Sequence, residues 1–88
     1  GGAWRAGGLP DEGIPPLACV DGPRGVTKFA GKATAFPVAM ARGATFDPEL
    51  ERRVGAAIAR EARAQGANLL LAPTMNVLRH PLWGRAQE

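Results

Sequence analysis

The sequence predicts an α/β fold built on one strand–helix–strand unit. Residues 17–20 and residues 69–72 are short, continuous apolar runs, and a long segment with helical periodicity lies between them. Apolar strands joined through a helix are typical of a parallel βαβ unit whose sheet is covered on both faces. In a right-handed unit of this kind the two strands run side by side in the same direction.

Residues 1–16 are predicted to be an opening segment without regular structure, because paired Gly and Pro residues interrupt it. The first strand then covers residues 17–20, and Asp21-Gly22-Pro23 turns the chain at its end. After a loop of mixed charge over residues 24–32, Phe36 is expected to pack inward. A short helical turn should follow over residues 38–41.

The clearest predicted element is a helix over residues 48–65. Asp47 is a good N-cap, Pro48 suits the first helical position because its missing N–H needs no partner there, and Gly66 ends the helix. Apolar residues recur along it at three- and four-residue spacing and form one stripe. They are Leu50, Val54, Ala57, Ile58 and Ala62.

Composition argues against several classes of function. The net charge is +3, but the 11 Lys and Arg are scattered and form no basic run, so nucleic-acid binding has little support. No stretch reaches the roughly 20 apolar residues that a membrane span needs. The single cysteine, Cys19, is expected to be a buried thiol, and His80 has no second His or Cys nearby, so we expect no metal site.

The chain is expected to belong to something larger. With 88 residues it can form at most one small domain, and two parallel strands alone would leave both sheet edges unpaired. It also opens with Gly1 and not Met, so we expect the original start of the protein to lie upstream. The remainder of a parent chain is therefore an expected partner.

Two distant segments should meet at one end of the sheet. Asp21 follows the first strand and residues 76–85 follow the second, so both lie at the carboxyl ends of parallel strands, where α/β proteins bind ligands. Asp21 can accept and Arg79 can donate several hydrogen bonds, which suits a neutral, polyhydroxylated ligand. An Asp that caps the turn and pairs with an Arg explains the same residues equally well.

Other polar and aromatic side chains have two interpretations each. Trp83 could stack on a sugar ring or anchor its loop. Glu61 is interpreted as a solvated or ion-paired helix residue. Glu88 could be an acid or a base, but cleavage of a glycosidic bond needs two carboxylates placed on opposite sides of that bond.

Several ordered motifs resemble the start of the catalytic barrel of family-3 glycoside hydrolases. They are Gly13-Ile-Pro-Pro-Leu17, Val20-Asp-Gly-Pro-Arg-Gly-Val26, Thr34-Ala-Phe-Pro37, Ala44-Thr-Phe-Asp-Pro-Glu-Leu50 and Ala72-Pro-Thr-Met-Asn-Val-Leu-Arg-His-Pro-Leu-Trp-Gly-Arg85. The resemblance covers the chain from Leu9 onward. It implies that residues 17–88 are the first βαβ portion of a (β/α)₈ TIM-type barrel.

The resemblance also implies roles for single residues. Asp21 and Arg79 match the family's positions that hold the sugar in the innermost subsite, while Arg85 and Glu88 match positions that support the loop, with Trp83 beside them. The nucleophilic Asp and the acid/base Glu of the family have no counterpart in this chain. The catalytic residues are therefore expected elsewhere in the parent enzyme.

The resulting expectation is a part of a glycoside hydrolase that cleaves terminal β-linked glucosides by a retaining mechanism. Its partner would be a carbohydrate substrate, and no metal or organic cofactor is expected. A phosphorylase of the same family would share these motifs. A small protein that binds carbohydrate without cleaving it, or an inactive remnant, is the alternative from another class.

Overall fold

The computed structural model describes residues 4–27 and 31–88 of the chain. Residues 28–30 of the predicted loop and residues 1–3 of the predicted opening segment lie outside the described residues. The regular elements are three strands, two α-helices and one short 3₁₀ turn. In chain order they are β1 (Trp4–Ala6), the 3₁₀ turn (Pro10–Glu12), β2 (Leu17–Asp21), α1 (Ala39–Gly43), α2 (Pro48–Ala64) and β3 (Leu69–Leu71).

The predicted parallel strand pair is present. β2 and β3 are parallel neighbours, with Val20 opposite Leu70 and Asp21 opposite Leu71. Asn68 fixes the start of this pair, since its Oδ1 accepts a 2.7 Å hydrogen bond from the Ala18 N–H. The helical connection between the strands is also as predicted, so the chain has the α/β architecture of a βαβ unit.

The opening segment differs from the prediction because it contains a strand. β1 pairs antiparallel with β2, placing Trp4 opposite Cys19, and thereby covers the edge of β2 that was expected to stay unpaired. Leu9 and Ile14 exchange backbone hydrogen bonds of 2.9 and 3.1 Å, which turns the chain back toward β2. A strand of three residues is too short for a periodic signal, so it depends on its partner and not on local preference.

Helix α2 begins and ends where the sequence predicts. The Asp47 carboxylate accepts a 3.0 Å hydrogen bond from the Leu50 N–H, which confirms the N-cap. The last helical residue is Ala64, and Gly66 follows with a left-handed φ of 89°. Local signals at both ends were therefore sufficient to define this element.

The core lies between α2 and one face of the sheet. It is a single cluster of buried apolar side chains, with three partly buried ones packed against it. The buried members are Val20, Val26, Ile58, Ala62 and Ala67, and the partly buried ones are Phe36, Val54 and Leu70. The inward packing of Phe36 is thus confirmed.

The opposite face of the sheet is not covered within the described ranges. Leu17, Leu69 and Leu71 are 51%, 38% and 43% exposed, and they alternate along the strands with the core residues. Among the described residues only α2 packs on the sheet, so the second covered face that the sequence pattern indicates is not formed by this part of the chain. Cys19 points to the same open face and is only partly buried, so the predicted buried thiol was wrong.

The segment between β2 and α2 is held by backbone contacts. The predicted helical turn over residues 38–41 is the short helix α1, displaced by one to two residues. Before it, the Phe36 N–H donates a 2.8 Å hydrogen bond to the Arg24 carbonyl.

In the part of the chain that the structure covers, no helix has the length and apolar character needed to cross a membrane.

Candidate functional site

The candidate site lies at the carboxyl ends of β2 and β3. Asp21 is the last residue of β2 and is half-buried, and Leu71, its partner, is the last residue of β3. Both strands run in the same direction, so the turn after Asp21 and the loop over residues 73–88 leave the sheet at the same end. The shared rim predicted from the sequence is therefore formed by the sheet itself.

The turn after Asp21 is tightly held. The Asp21 carbonyl accepts a 2.9 Å hydrogen bond from the Thr27 N–H, and the Gly22 carbonyl accepts one of 3.2 Å from the Gly25 N–H. Gly25 has a φ of 118°, and a Cβ there would lie 2.1 Å from the Thr34 carbonyl oxygen. Glycine is therefore required at this position, both for its conformation and for space.

A buried arginine contacts the same turn. Arg42, on α1, donates hydrogen bonds from Nη1 to the carbonyls of Pro23, at 3.1 Å, and Pro37, at 2.6 Å. Sequence reasoning missed this residue, because two of its three partners are main-chain carbonyls that carry no residue-type signal. The one available signal was a lone charge inside the otherwise apolar run of α1.

The loop over residues 73–88 folds back on itself around an ion pair. Arg85 donates from both Nε and Nη2 to the Glu88 carboxylate, the Nη2 bond being 2.6 Å. The Glu88 carbonyl also accepts a 2.8 Å hydrogen bond from the Thr74 hydroxyl. These contacts close the loop at its two ends.

The electrostatics connect this ion pair to the turn after β2. The hydrogen bond to Glu88, and then its charge, raise the pKa of Arg85, and the nearby carboxylate of Asp21 raises this pKa further. The hydrogen bond from Arg85 lowers the pKa of Glu88. The carboxylate of Asp21 is therefore near enough to Arg85 to affect its pKa, although the two residues are 64 positions apart in the printed sequence.

Arg79 and Trp83 line an open groove on this loop. The groove has a volume of about 530 Å³ and is bordered by Asn76, Val77, Arg79, His80, Leu82 and Trp83. Arg79 is exposed, and within residues 4–27 and 31–88 its side chain has no ion pair or hydrogen bond, to Asp21 or to any other residue. Trp83 is 38% exposed, so part of its ring is accessible. Both side chains are available to a ligand.

The remaining polar candidates have structural partners. His80 accepts a 3.1 Å hydrogen bond at Nδ1 from the Leu82 N–H, as suits an ordinary loop residue. Glu61 accepts bonds from the Thr34 N–H, at 3.0 Å, and the Thr34 hydroxyl, at 2.5 Å. Glu61 is still partly exposed, as predicted for a solvated side chain, but its hydrogen bonds with Thr34 were not predicted. Among the described residues, no three His, Cys, Asp or Glu side chains are grouped in a way that could hold a metal ion.

Comparison with known proteins finds relatives of this chain in one enzyme family. The model of the glycosyl hydrolase family 3 N-terminal domain matches residues 9–88. Beta-glucosidase B of Emericella nidulans is 42% identical, and a beta-glucosidase of Rhizobium radiobacter is 44% identical; each alignment covers 97% of this chain. A probable beta-glucosidase I of Emericella nidulans is 45% identical over 97% of the chain.

The alignments cover nearly all of this chain but only a small part of each relative. The chain spans about a tenth of the length of these relatives, with shares of 10%, 11% and 11%. No solved structure matches it. Since the family model covers nearly the whole chain and the motifs that carry the resemblance lie inside the matched residues, the chain belongs to glycosyl hydrolase family 3, within its N-terminal domain.

Proposed function

We propose that this chain is part of a glycoside hydrolase that cleaves terminal β-linked glucosides, and that it supplies residues that bind the sugar. The printed names of the relatives are those of beta-glucosidases, which supports this substrate class. The observation that carries the proposal is the shared rim, where Asp21 and the loop over residues 73–88 meet at the carboxyl ends of parallel strands.

The open face of the sheet supports a larger fold. Residues 17–88 are proposed to be the first βαβ portion of a (β/α)₈ barrel, preceded by an opening segment over residues 1–16. In such a barrel one face of each strand packs on the outer helices and the other faces the barrel interior. The alternation of core residues with the exposed Leu17, Leu69 and Leu71 suits this arrangement.

The sugar-binding roles are assigned to Asp21 and Arg79. A carboxylate accepts hydrogen bonds from two neighbouring hydroxyls, and an exposed guanidinium donates up to five. Arg79 has no partner among the described residues, so binding a sugar would not break an existing contact. Arg85 and Glu88 would keep the loop in place through their ion pair, and Trp83 would support it beside the ligand.

The cleavage itself is assigned to residues outside this chain. A retaining glycosidase needs a carboxylate nucleophile and a second carboxyl group as acid and base, on opposite sides of the scissile bond. The carboxylate of Glu88 is held by Arg85 and that of Glu61 by Thr34. Neither is therefore proposed as the nucleophile or the acid, and this chain contributes binding energy to the transition state.

Substitution of Arg79 in the full-length enzyme tests the assignment. Arg79→Ala should lower kcat/KM on a terminal β-glucoside by about a hundredfold, or about 3 kcal/mol, because several hydrogen bonds to the sugar are lost. Asp21→Asn should have an effect of similar size. Arg63→Ala is the control, since Arg63 is exposed in the last turn of α2, which leads to the start of β3 and away from the rim.

Two results would contradict the proposal. An Arg79→Ala enzyme with unchanged kcat/KM would show that the sugar is held by a different residue. Binding of the sugar to a full-length protein that never hydrolyses it would favour a carbohydrate-binding protein over a hydrolase. Isothermal titration with glucose, measured beside the kinetics, distinguishes the second result from simple loss of folding.

A further inference from the structure

The guanidinium of Arg42 is buried, and its Nε and Nη1 atoms donate hydrogen bonds. Its side chain is 7% exposed, and Arg42 is the one charged residue that is buried in the part of the chain that the structure describes. A buried charge is costly unless hydrogen bonds and an opposite charge satisfy it. Such a residue therefore needs an explanation beyond packing.

Arg42 joins three separate segments of the chain. Its Nε lies 2.9 and 3.1 Å from the two carboxylate oxygens of Glu51, in the first turn of α2. Its Nη1 donates to the Pro37 carbonyl, just before α1, and to the Pro23 carbonyl, in the turn after β2. One planar group thus sets the distance between two loops and a helix.

The ion pair alone does not explain this arrangement. The Glu51 side chain is 50% exposed, and pairs that reach solvent contribute little to stability. A buried ion pair can often be replaced by apolar side chains without loss of stability, so the pair is weak support for a purely stabilising role. The distinctive contact is the bond to Pro23, because it acts on the backbone only two residues after Asp21.

The contact at Pro23 completes the restraint of the turn. The Arg24 carbonyl accepts a bond from the Phe36 N–H at 2.8 Å, and Gly25 lies against the Thr34 carbonyl. These contacts hold the later half of the turn, and Arg42 adds to the backbone hydrogen bonds at Asp21 and Gly22 that hold its first half. The direction in which the chain leaves β2, and hence the position of the Asp21 carboxylate, depends on both halves.

We infer that Arg42 is a positioning residue for the carboxylate of Asp21, acting through the carbonyl of Pro23. The inference rests on the proposed sugar-binding function of Asp21. Arg42 does not touch the sugar in this arrangement. A lysine could keep the charge, but it has no planar fork and could not bind Glu51 and two carbonyls in the same geometry.

A double-mutant cycle in the full-length enzyme tests this coupling. The variants are Arg42→Lys, Asp21→Asn and the combination, with kcat/KM expressed per active site after titration with a mechanism-based glycosidase inhibitor. Arg42→Lys should lower kcat/KM about tenfold, mainly through KM. In the Asp21→Asn background the same change should cost less than about twofold, because the carboxylate that it positions is absent.

A matched control and a second variant complete the test. Arg52→Lys changes an arginine that is 68% exposed and paired with Glu49 on the outer surface of α2, and it should leave kcat/KM unchanged. If Arg42→Lys does not fold, Glu51→Gln weakens the same network from its exposed side. Glu51→Gln should lower kcat/KM about threefold when residue 21 is Asp, and it should have no effect when residue 21 is Asn.

The outcomes separate this inference from the function on which it rests. If Asp21→Asn itself leaves kcat/KM unchanged, the proposed sugar-binding role is wrong and the inference fails with it. If Asp21→Asn is costly but the Arg42 and Glu51 substitutions cost the same in both backgrounds, or nothing in either, the sugar-binding role stands. Arg42 is then a structural residue with no positioning role.

Discussion

The backbone at Gly25 passes so close to the neighbouring segment that a side chain cannot be accommodated. Its φ of 118° is one that residues with a Cβ rarely adopt, and the Thr34 carbonyl occupies the space of the missing atom. The turn that carries Asp21 and the segment that precedes α1 therefore touch through main-chain atoms. This contact sets how closely they approach, and the hydrogen bonds from Arg42 to the Pro23 and Pro37 carbonyls join the same two segments.

Gly25→Ala should lower the free energy of unfolding of the full-length protein by about 2 kcal/mol or more, through backbone strain and the contact with Thr34. It should also lower kcat/KM, since the turn beside Asp21 must move. Differential scanning calorimetry and steady-state kinetics measure the two effects. A Gly25→Ala protein with an unchanged Tm would mean that the turn tolerates a different backbone conformation.

The matched control is Gly55→Ala. Gly55 lies inside α2, and a Cβ added there would meet no atom within 4 Å. Alanine is favoured over glycine in a helix by about 1 kcal/mol, so this substitution should raise the Tm slightly. Opposite signs at the two glycines would show that the effect at Gly25 comes from its local geometry and not from the loss of glycine as such.

At the scale of elements, α2 serves as the support for the loop that precedes α1. Glu61 binds the N–H and the hydroxyl of Thr34, and the Gln65 side chain donates a 3.1 Å hydrogen bond to the Lys32 carbonyl. Four residues separate these two positions, so both lie on one face of the helix. The loop is therefore aligned along the helix before it reaches α1.

The contact at Glu61 should make this loop sensitive to acid. The hydrogen bonds from Thr34 lower the pKa of Glu61 below its ordinary value of 4.5. A group with a lowered pKa in the folded state stabilises the fold above its unfolded pKa, and this contribution is lost as the pH falls through the folded value. Protection of residues 32–36 from hydrogen exchange should therefore decrease below about pH 4.5.

Glu61→Gln tests this prediction in the full-length protein. After correction for intrinsic exchange rates, the variant should show low protection of residues 32–36 already at neutral pH, and no further loss in acid. Glu49→Gln is the control, because the pKa of Glu49 is lowered by Arg52 on the exposed surface of the same helix. The same acid-dependent loss in the wild type and in Glu61→Gln would show that another group titrates.

The sequence predicts elements that are defined by local chemistry. Helix α2 was predicted because Asp47, Pro48 and Gly66 mark its ends, and the structure agrees to within one residue. Strands β2 and β3 were predicted from apolar runs. Strand β1 was not predicted, because three residues form a strand only when the edge of β2 is available. The predicted elements are therefore those that a local pattern defines, and the strand that was missed forms only through pairing with another strand.

The candidate site also has a part that could be predicted from the sequence and a part that could not. Asp21 and the loop over residues 73–88 could be placed at one rim, because topology alone brings the ends of parallel strands together. The role of Arg42 could not be predicted, since two of its three partners are backbone carbonyls whose positions depend on the completed fold. The partner of Glu61 was missed for a similar reason, because the loop that carries Thr34 has no periodic signal.

At the scale of the whole molecule, the chain buries little of its apolar surface. Its six buried apolar residues among those described are mostly small, and Val20 is the largest that is fully buried. The radius of gyration is 15.1 Å, whereas a compact domain of this length would have roughly 12 Å. Large apolar side chains are exposed along the open sheet face and the C-terminal loop, including Leu71, Met75 and Leu82.

This imbalance predicts that the 88-residue chain, expressed alone, does not unfold cooperatively. Burial of so few apolar side chains cannot offset the conformational entropy of ordering the chain. Within the described residues no strand pairs with the outer edge of β3, so this edge can pair with other copies. Urea titration followed by near-UV circular dichroism of Trp4 and Trp83 should give a broad change or none, with aggregation at high concentration. The full-length enzyme should give a sharp transition under the same conditions.

A sharp, reversible transition of the isolated chain, stabilised by added glucose, would show that the chain is an autonomous sugar-binding domain. This result would contradict the proposal that the chain is a portion of a barrel.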